Sequence, residues 1–305
     1  VGPTGSGKSE CAVRLAKKIG GEIISADSRQ IYRGLDIGSA KVKGSWRGAR
    51  RDAGGSKNVF VYKNIPHFCI DYIPPKRTFT VQEFARDADR AIRDILGRGK
   101  IPLLAGGSGF WADAVGQGLA LPPVPPNLRL RKTLEKHSVQ KLYGHLLRLD
   151  PRRAKTIDSQ NPRRLIRAIE AAKVLGRVAP LRATAPYRAF WIGMAPDGKE
   201  LRKRIYRRAL LMIRQGLAEE TKSLLAAGVS KKRIREFGFE YRAALDYGEK
   251  RIDRHTFLTE LSKATWRYAK RQMTYWRRNK KIRWVRNCRE AESSIKHDFK
   301  TRKTA

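Results

Sequence analysis

The chain has 305 residues, 41% of them apolar, and its 67 Lys and Arg against 28 Asp and Glu give a formal net charge of +39. The apolar share excludes a disordered basic tail, and no stretch approaches the about 20 apolar residues of a membrane-spanning helix. A surplus of this size costs self-repulsion that a polyanion relieves, so it points to a nucleic-acid partner, with a generic basic surface as the plain alternative.

The first feature along the chain is Gly2-Pro3-Thr4-Gly5-Ser6-Gly7-Lys8-Ser9, which fits G-x-x-x-x-G-K-[ST] at every fixed position. Glycines let backbone N–H groups converge on phosphate oxygens, and a following helix adds its positive end. Lys8 supplies a point charge for the terminal phosphate and Ser9 a hydroxyl ligand for Mg²⁺. The spacing of Cys11, Ala12, Leu15, Ala16 and Ile19 predicts that helix over 8–19, ended by Gly20-Gly21. The chain opens on the motif without an initiator Met, as expected of a fragment lacking the strand before the loop. The motif announces a diphosphate or triphosphate and no particular reaction, since a kinase or an RNA-dependent ATPase begins the same way.

Glu22–Ala26 reads as a short buried strand that ends in Asp27, within Ala26-Asp27-Ser28-Arg29-Gln30. Between Lys41 and Lys63 seven basic residues accompany one acid, Asp52, which predicts a solvated loop or an RNA contact. Thr80-Val81-Gln82-Glu83 is a capping box, with Phe84, Ala88, Ala91, Ile92 and Ile95 at helical spacing behind it. Ile101–Ala105 is a second buried strand; it runs into Gly106-Gly107-Ser108 without the Mg²⁺-organising Asp of an ATPase. Alternating strands and amphipathic helices predict an α/β fold with a parallel sheet.

From 119 to 160 the chain is Pro-rich (Pro122, Pro123, Pro125, Pro126) and then helical, which predicts an inserted helical module between core segments 1–118 and 161–285. Ala189–Met194 returns to strand character, 199–278 reads as helical, and 286–305 as a polar tail. The run Lys263–Arg283 carries nine basic residues, no acid, and Trp266, Tyr268, Tyr275 and Trp276. With Phe257, Leu261, Ala264 and Tyr268 as the core stripe, the aromatics read as core and the basic face as the RNA footprint. Cys11, Cys69 and Cys288 are far apart and odd in number, which predicts no disulfide framework and a reducing cytoplasm. His67, His137, His145, His255 and His297 show no metal-ligand spacing.

Taken in order, GPTGSGKS (2–9), IISADSRQIYRGLDIGSAK (23–41), IPHFCID (65–71), IPLLAGGSGFW (101–111), GLALPP (118–123), NPRRLIRAIE (161–170) and YAKRQMTYWRR (268–278) resemble the tRNA dimethylallyltransferase (tRNA isopentenyltransferase) family. The resemblance spans nearly the whole chain. It implies a P-loop NTPase-like parallel sheet flanked by helices, with a small inserted helical domain. It also implies transfer of a dimethylallyl group from its diphosphate to the N6 amine of the adenine 3′ of the anticodon, with release of diphosphate. By resemblance the loop Gly2–Ser9 holds dimethylallyl diphosphate with Mg²⁺ rather than ATP, and Asp27, Lys8 and Ser108 form the catalytic set. Asp27 takes the amine proton, its plainer reading being a helix cap or an Mg²⁺ organiser. Asp27, Ser28, Arg29, Gln30, Ser108, Arg129, and Arg163, Arg164, Leu165, Ile166 and Arg167 correspond to tRNA-contacting positions. Partners implied are the tRNA anticodon stem-loop and the prenyl diphosphate, for a monomer in the cytoplasm away from membranes.

Three departures stand out: the strand before the loop is missing, 41–63 is longer than in typical bacterial members, and no Cys/His finger follows residue 285, which favours the bacterial type. Glu236–Tyr241 also differs from the family's pattern at a tRNA-contacting element. An adenylate prenyltransferase would use the same cradle on a free nucleotide, and a P-loop kinase would use it on ATP. Against the first stand the +39 charge and the Arg163–Arg167 element. A non-enzymatic RNA-binding protein gives no reason for Asp27 to accompany the phosphate loop.

Overall fold

Gly7, in the left-handed region at φ 84, turns the glycine-rich loop into helix α1 (Lys8–Ile19), and Gly20 at φ 64 ends it. The computed structural model describes the backbone of residues 1–52 and 55–301 and the side chains of 1–48 and 58–296. After α1 come β1 (Gly21–Ser25), β2 (Ser45–Asp52), β3 (Gly55–Tyr62), β4 (Ile65–Phe68), α2 (Val81–Gly97), β5 (Ile101–Ala105) and α3 (Gly109–Gly116). Next are α4 (Leu128–Leu134), α5 (Val139–Leu149), α6 (Pro151–Thr156) and α7 (Pro162–Leu175). The chain continues through β6 (Ile192–Met194), α8 (Gly198–Arg214), α9 (Leu217–Ala226), α10 (Lys231–Glu236) and α11 (Phe239–Gly248). It closes with α12 (Arg254–Trp276), β7 (Arg283–Val285) and α13 (Cys288–Thr301).

The main sheet runs β2-β3-β4-β1-β5, with β1 parallel to both β4 and β5 and in register Ser25 to Ala105. It is therefore mixed, not wholly parallel. β2 and β3 add an antiparallel hairpin at one edge, where the sequence reading expected a solvated loop over 41–63. Alternation such as Val59, Phe60 and Val61, with Phe60 buried, was hidden behind the basic residues. The side chains of Arg50, Arg51 and Lys57 in that segment lie outside the described residues. β6 and β7 form a separate parallel pair, and Val1 hydrogen-bonds to Ile192 and Met194 of β6.

Thr80 and Glu83 form the expected capping box of α2: Thr80 Oγ1 accepts from Glu83 N at 3.2 Å and Glu83 Oε2 from Thr80 N at 2.8 Å. That start aims Phe84, Ala88, Ile92 and Ile95 into the core against β1. Glu22 of β1 is fully buried, and the Arg98 guanidinium after α2 grips both carboxylate oxygens at 2.8 and 2.6 Å. A lone buried carboxylate would be costly; this paired one ties the helix end to the sheet.

The chain divides into a larger unit, residues 1–117 with 186–305, and a smaller helical unit, 118–185. The smaller one runs past the expected boundary at 160, because Leu165, Ile166, Ala168 and Ile169 of α7 join Leu134, Leu142 and Leu146 in its core. Residues 288–301 form a helix within the stretch expected to be a polar tail. Ala291 and Ile295 pack toward α1, and Glu292 pairs with Arg14 and Lys18 at 2.6 and 2.7 Å. Residues 302–305 of that tail, and the side chain of His297, lie outside the described residues. Cys11 and Cys288 form a disulfide across the same contact, with Cα atoms 5.3 Å apart; no spacing in the sequence foretold it. Among the described residues no helix is long and apolar enough to cross a membrane.

Candidate active site

The parallel strands β1 and β5 both end at the N-terminus of α1, the edge where open α/β sheets bind ligands. Gly106 makes that meeting possible, since a Cβ there would fall 2.0 Å from the Ala26 carbonyl oxygen. A cavity of about 330 Å³ opens within the larger unit at this edge. Thr4, Lys8 and Ser9 line it from the loop and α1, and Asp27, Ser28, Arg29 and Gln30 from the turn after β1. Five cations (Lys8, Arg29, Arg208, Arg242, Arg271) face two carboxylates (Asp27, Glu240) across it. That balance favours an anion.

No side chain caps α1, so the N–H groups of its first turn and its helix dipole face the cavity side of the loop. Lys8 Nζ donates to the Pro3 carbonyl at 3.1 Å. Burial pushes the Lys8 ammonium down to about 8, with Asp27 opposing that shift and Arg208 adding to it. Arg208 on α8 donates to Thr4 Oγ1 at 3.1 Å, and burial works against its charge while Glu240 and Asp27 favour it. Gln272 on α12 accepts from Thr4 N at 2.8 Å and donates to the Gly107 carbonyl at 2.8 Å. Gly2, Pro3, Gly5, Ser6 and Gly7 frame the loop without lining the cavity.

Asp27 Oδ1 accepts from Arg29 N at 3.0 Å, which leaves Oδ2 without a hydrogen bond among the described residues. Ser108 holds this turn from behind: its Oγ accepts from Ser28 N at 3.0 Å and lies 3.3 Å from Ser28 Oγ. Ser108 is not among the residues that line the cavity; its hydroxyl holds the turn that carries Asp27. Gln30 is partly committed as well, donating to the carbonyls of Ser39 and Ala40 at 3.3 Å. The DIGSAK segment (36–41) lends Gly38, Ser39 and Ala40 to the cavity wall and is braced from behind. Lys41 Nζ bonds Asp36 and Asp71 at 2.6 Å and the Tyr32 carbonyl at 2.8 Å. Glu220 accepts from the N–H groups of Asp36, Ile37 and Gly38.

The remaining expected positions belong to the smaller unit. Arg129, Arg163 and Arg164 are exposed, and Arg164 pairs with Asp158 at 3.4 Å. Leu165 and Ile166 are 0% and 7% exposed, so their side chains serve the core of that unit and cannot reach a polyanion. Arg167 binds the buried Glu170 at 2.6 Å and the Val124 carbonyl at 2.8 Å, so it braces α7. Sequence reasoning did not single out Arg208, and it named Glu240, Arg271 and Gln272 only as parts of the stretches 236–241 and 268–278. It also misread the α12 stripe. Phe257, Leu261, Thr265, Ala269, Gln272 and Trp276 are buried there, while Tyr268 faces the cavity with Phe239, rings 5.9 Å apart.

Known proteins resemble the chain over most of its length. The family model described as IPP transferase matches residues 30–279, and one described as isopentenyl transferase matches residues 1–51. The chain is 36% identical to the tRNA dimethylallyltransferase of Halothermothrix orenii over 93% of its own length and 85% of that protein. It is 35% identical to that of Alkaliphilus oremlandii, over 98% and 96% of the two chains. The crystal structure of the tRNA isopentenylpyrophosphate transferase from Bacillus halodurans is similar with a TM-score of 0.69 and 30% identity, over 99% of this chain and 96% of that one.

Proposed function

The chain belongs to the IPP transferase family, and from that premise we propose that it moves a dimethylallyl group from dimethylallyl diphosphate to the N6 amine of the adenine 3′ of the anticodon in tRNA. The observation that carries this reading is the cavity itself, which Lys8 and Arg208 share with Asp27, one of whose oxygens makes no hydrogen bond among the described residues. We read the loop as a phosphate loop of P-loop NTPase type. The diphosphate lies along Gly2–Ser9 and the uncapped end of α1, with Lys8 and Arg208 neutralising the charge that grows as the carbon–oxygen bond breaks. Phe239 and Tyr268, rings tilted by 57° to each other, offer an aromatic corner suited to the prenyl group or the edge or face of a base.

An exocyclic adenine amine is a poor nucleophile, because its lone pair is delocalised into the ring. As the new carbon–nitrogen bond forms, Asp27 takes the amine proton, and the bonding pair of the cleaved carbon–oxygen bond leaves with the diphosphate. Held by Arg29 N on one oxygen, Asp27 presents the other without rotating. The target base must leave the anticodon stack for its amine to reach the cavity.

Mg²⁺ fits the residues present. The Ser9 hydroxyl lines the cavity and makes no hydrogen bond among the described residues, and a single hydroxyl plus substrate phosphates is a donor set that Mg²⁺ accepts. Bound there, it would neutralise diphosphate charge. Among the described residues no cluster of His, Cys, Asp and Glu forms a separate metal site.

Arg163, Arg164 and Arg129, with the basic face of α12, are our candidates for phosphate contacts along the anticodon stem-loop. We take the working protein to be a monomer of the cytoplasm, where its RNA substrate resides; the Cys11–Cys288 disulfide removes the cysteines from the support for that placement. Incubation with Mg²⁺, labelled dimethylallyl diphosphate and unmodified tRNA, then nuclease mapping, tests the reaction and its position. Label in a nucleoside 3′ of the anticodon supports it; label confined to free nucleotide, or ATP turnover in its place, refutes it.

A further inference from the structure

Glu240 has no part in the chemistry above, yet it stands in the same cavity. It is the second residue of α11, and its side chain turns back toward the helix start: a Cβ on Gly238 would meet Glu240 Oε2 at 2.9 Å and Arg29 Nε at 3.7 Å. Gly238 therefore leaves room for a carboxylate and a guanidinium beside each other. Even so, Glu240 forms no ion pair within 4 Å among the described residues. Most other carboxylates of this basic chain are paired, as Glu170 is with Arg131 and Arg167 at 2.7 and 2.6 Å.

The charged and titratable groups around it come from every neighbouring element. Asp27 and Arg29 face the cavity from the turn after β1, Lys8 from α1, Arg208 from α8, Arg242 from α11, and Tyr268 and Arg271 from α12. Burial pushes the Glu240 carboxyl up to about 7 and the charge of Asp27 adds to this, while its own backbone N–H, Arg29 and Arg208 hold it down. Such a carboxyl exchanges a proton near neutrality and holds it more tightly than an ordinary Glu.

We propose that Glu240 is the second proton acceptor of this cavity, receiving from Asp27 the proton that Asp27 removes from the amine. The proposal rests on the reading of Asp27 as base. The proton passes from nitrogen to Asp27, from Asp27 to the ionised Glu240, and then to solvent, so Asp27 returns to its charged form while product is still bound. Glu240 acts through Asp27 and is a relay residue, not a group that touches the reacting atoms. The relay has a clear use in a site closed over by a large RNA, where Asp27 has little access to bulk water.

The test is the pH profile of steady-state turnover (kcat) at saturating dimethylallyl diphosphate and tRNA, where Asp27 must be reset in every cycle, for the wild type, Glu240→Gln, Glu240→Asp and Asp27→Asn. Inorganic diphosphate affinity is measured in parallel as a check on the intact site. The wild-type rate should fall with acid below about pH 7, as Glu240 keeps its own proton. Glu240→Gln should lose that acid limb and run about 10- to 100-fold slower at pH 8, with diphosphate affinity kept or improved. Glu240→Asp should restore a limb. If Glu240→Gln keeps both rate and limb, or loses rate only through weakened diphosphate binding, the relay is wrong. Asp27→Asn separates the two ideas: an inactive Asp27→Asn beside an unaltered Glu240→Gln overturns the relay alone, whereas an active Asp27→Asn overturns the base and the relay together.

Discussion

The side-chain amide of Gln272 accepts a hydrogen bond from the backbone N–H of Thr4 at 2.8 Å, across 268 residues of sequence. The same amide donates to Gly107, so one side chain of α12 holds the phosphate loop against the end of β5. Gln272→Ala removes both bonds and leaves the buried Gly107 carbonyl without this donor. A lost bond of about 1.4 kcal/mol to the loop corresponds to about tenfold weaker diphosphate binding. Calorimetric titration of inorganic diphosphate with Mg²⁺ reads it directly; unchanged affinity would show that the loop keeps its shape without α12.

Ser108 does not line the cavity, and its Oγ accepts from the Ser28 N–H next to Asp27. Ser108→Ala should therefore lower kcat by about tenfold, through a misplaced Asp27, with little change in diphosphate affinity. Ser108→Thr, which keeps the hydroxyl, should restore the rate. A matching loss of diphosphate affinity in Ser108→Ala would mean instead that the hydroxyl touches substrate.

Lys8 has its pKa lowered to about 8 in the free site, chiefly by burial. Its charge is complete well below that pH and is lost as pH rises through it. A bound diphosphate draws the charge back, raising the pKa. Binding near pH 9 should thus take up close to one proton, and affinity should decline above pH 8. Calorimetry in buffers of differing ionisation enthalpy measures the uptake. Lys8→Met should bind weakly and with no Lys8-linked uptake; equal uptake in that variant would assign the proton to another group.

Salt dependence separates the residues of α7. Arg163→Ala and Arg164→Ala should each weaken tRNA binding and reduce the slope of log K against log salt by about 0.7 to 0.9. Leu165→Ala should instead lower the stability of the smaller unit by about 2–5 kcal/mol, because that side chain is fully buried. Salt titrations of tRNA binding and a denaturant melt distinguish the two effects. A Leu165→Ala variant of normal stability and altered salt slope would contradict the packing.

The loop, α1, β1, the capping box of α2 and β5 were legible because each depends on neighbours in sequence: a glycine pattern, a 3.6-residue period, a short apolar run. Asp27 was legible through its motif. Arg208 was not, and Glu240 and Gln272 were only members of the stretches 236–241 and 268–278, since nothing local marks an Arg, Glu or Gln on a basic helix as cavity-facing; only the packing of α8, α11 and α12 against the loop does so. The α12 stripe went astray by one residue at Ala264, because Thr265 buries its hydroxyl by donating to the Leu261 carbonyl at 2.7 Å and so behaves as an apolar residue. The hairpin β2–β3 and the disulfide were hidden for a related reason, as both need partners distant in sequence or masked by charge.

The most direct measurement is single-turnover transfer of labelled dimethylallyl to tRNA by Asp27→Asn, with tRNA and diphosphate binding measured on the same protein. Asparagine keeps the shape of the side chain and an oxygen for the Arg29 N–H, but it cannot take the amine proton. Transfer should fall by about 10²- to 10⁴-fold while both affinities hold within about threefold, because the lost interaction is made in the transition state. Near-normal transfer by Asp27→Asn would contradict the assignment of Asp27 as the base and reduce it to a turn-former at the end of β1.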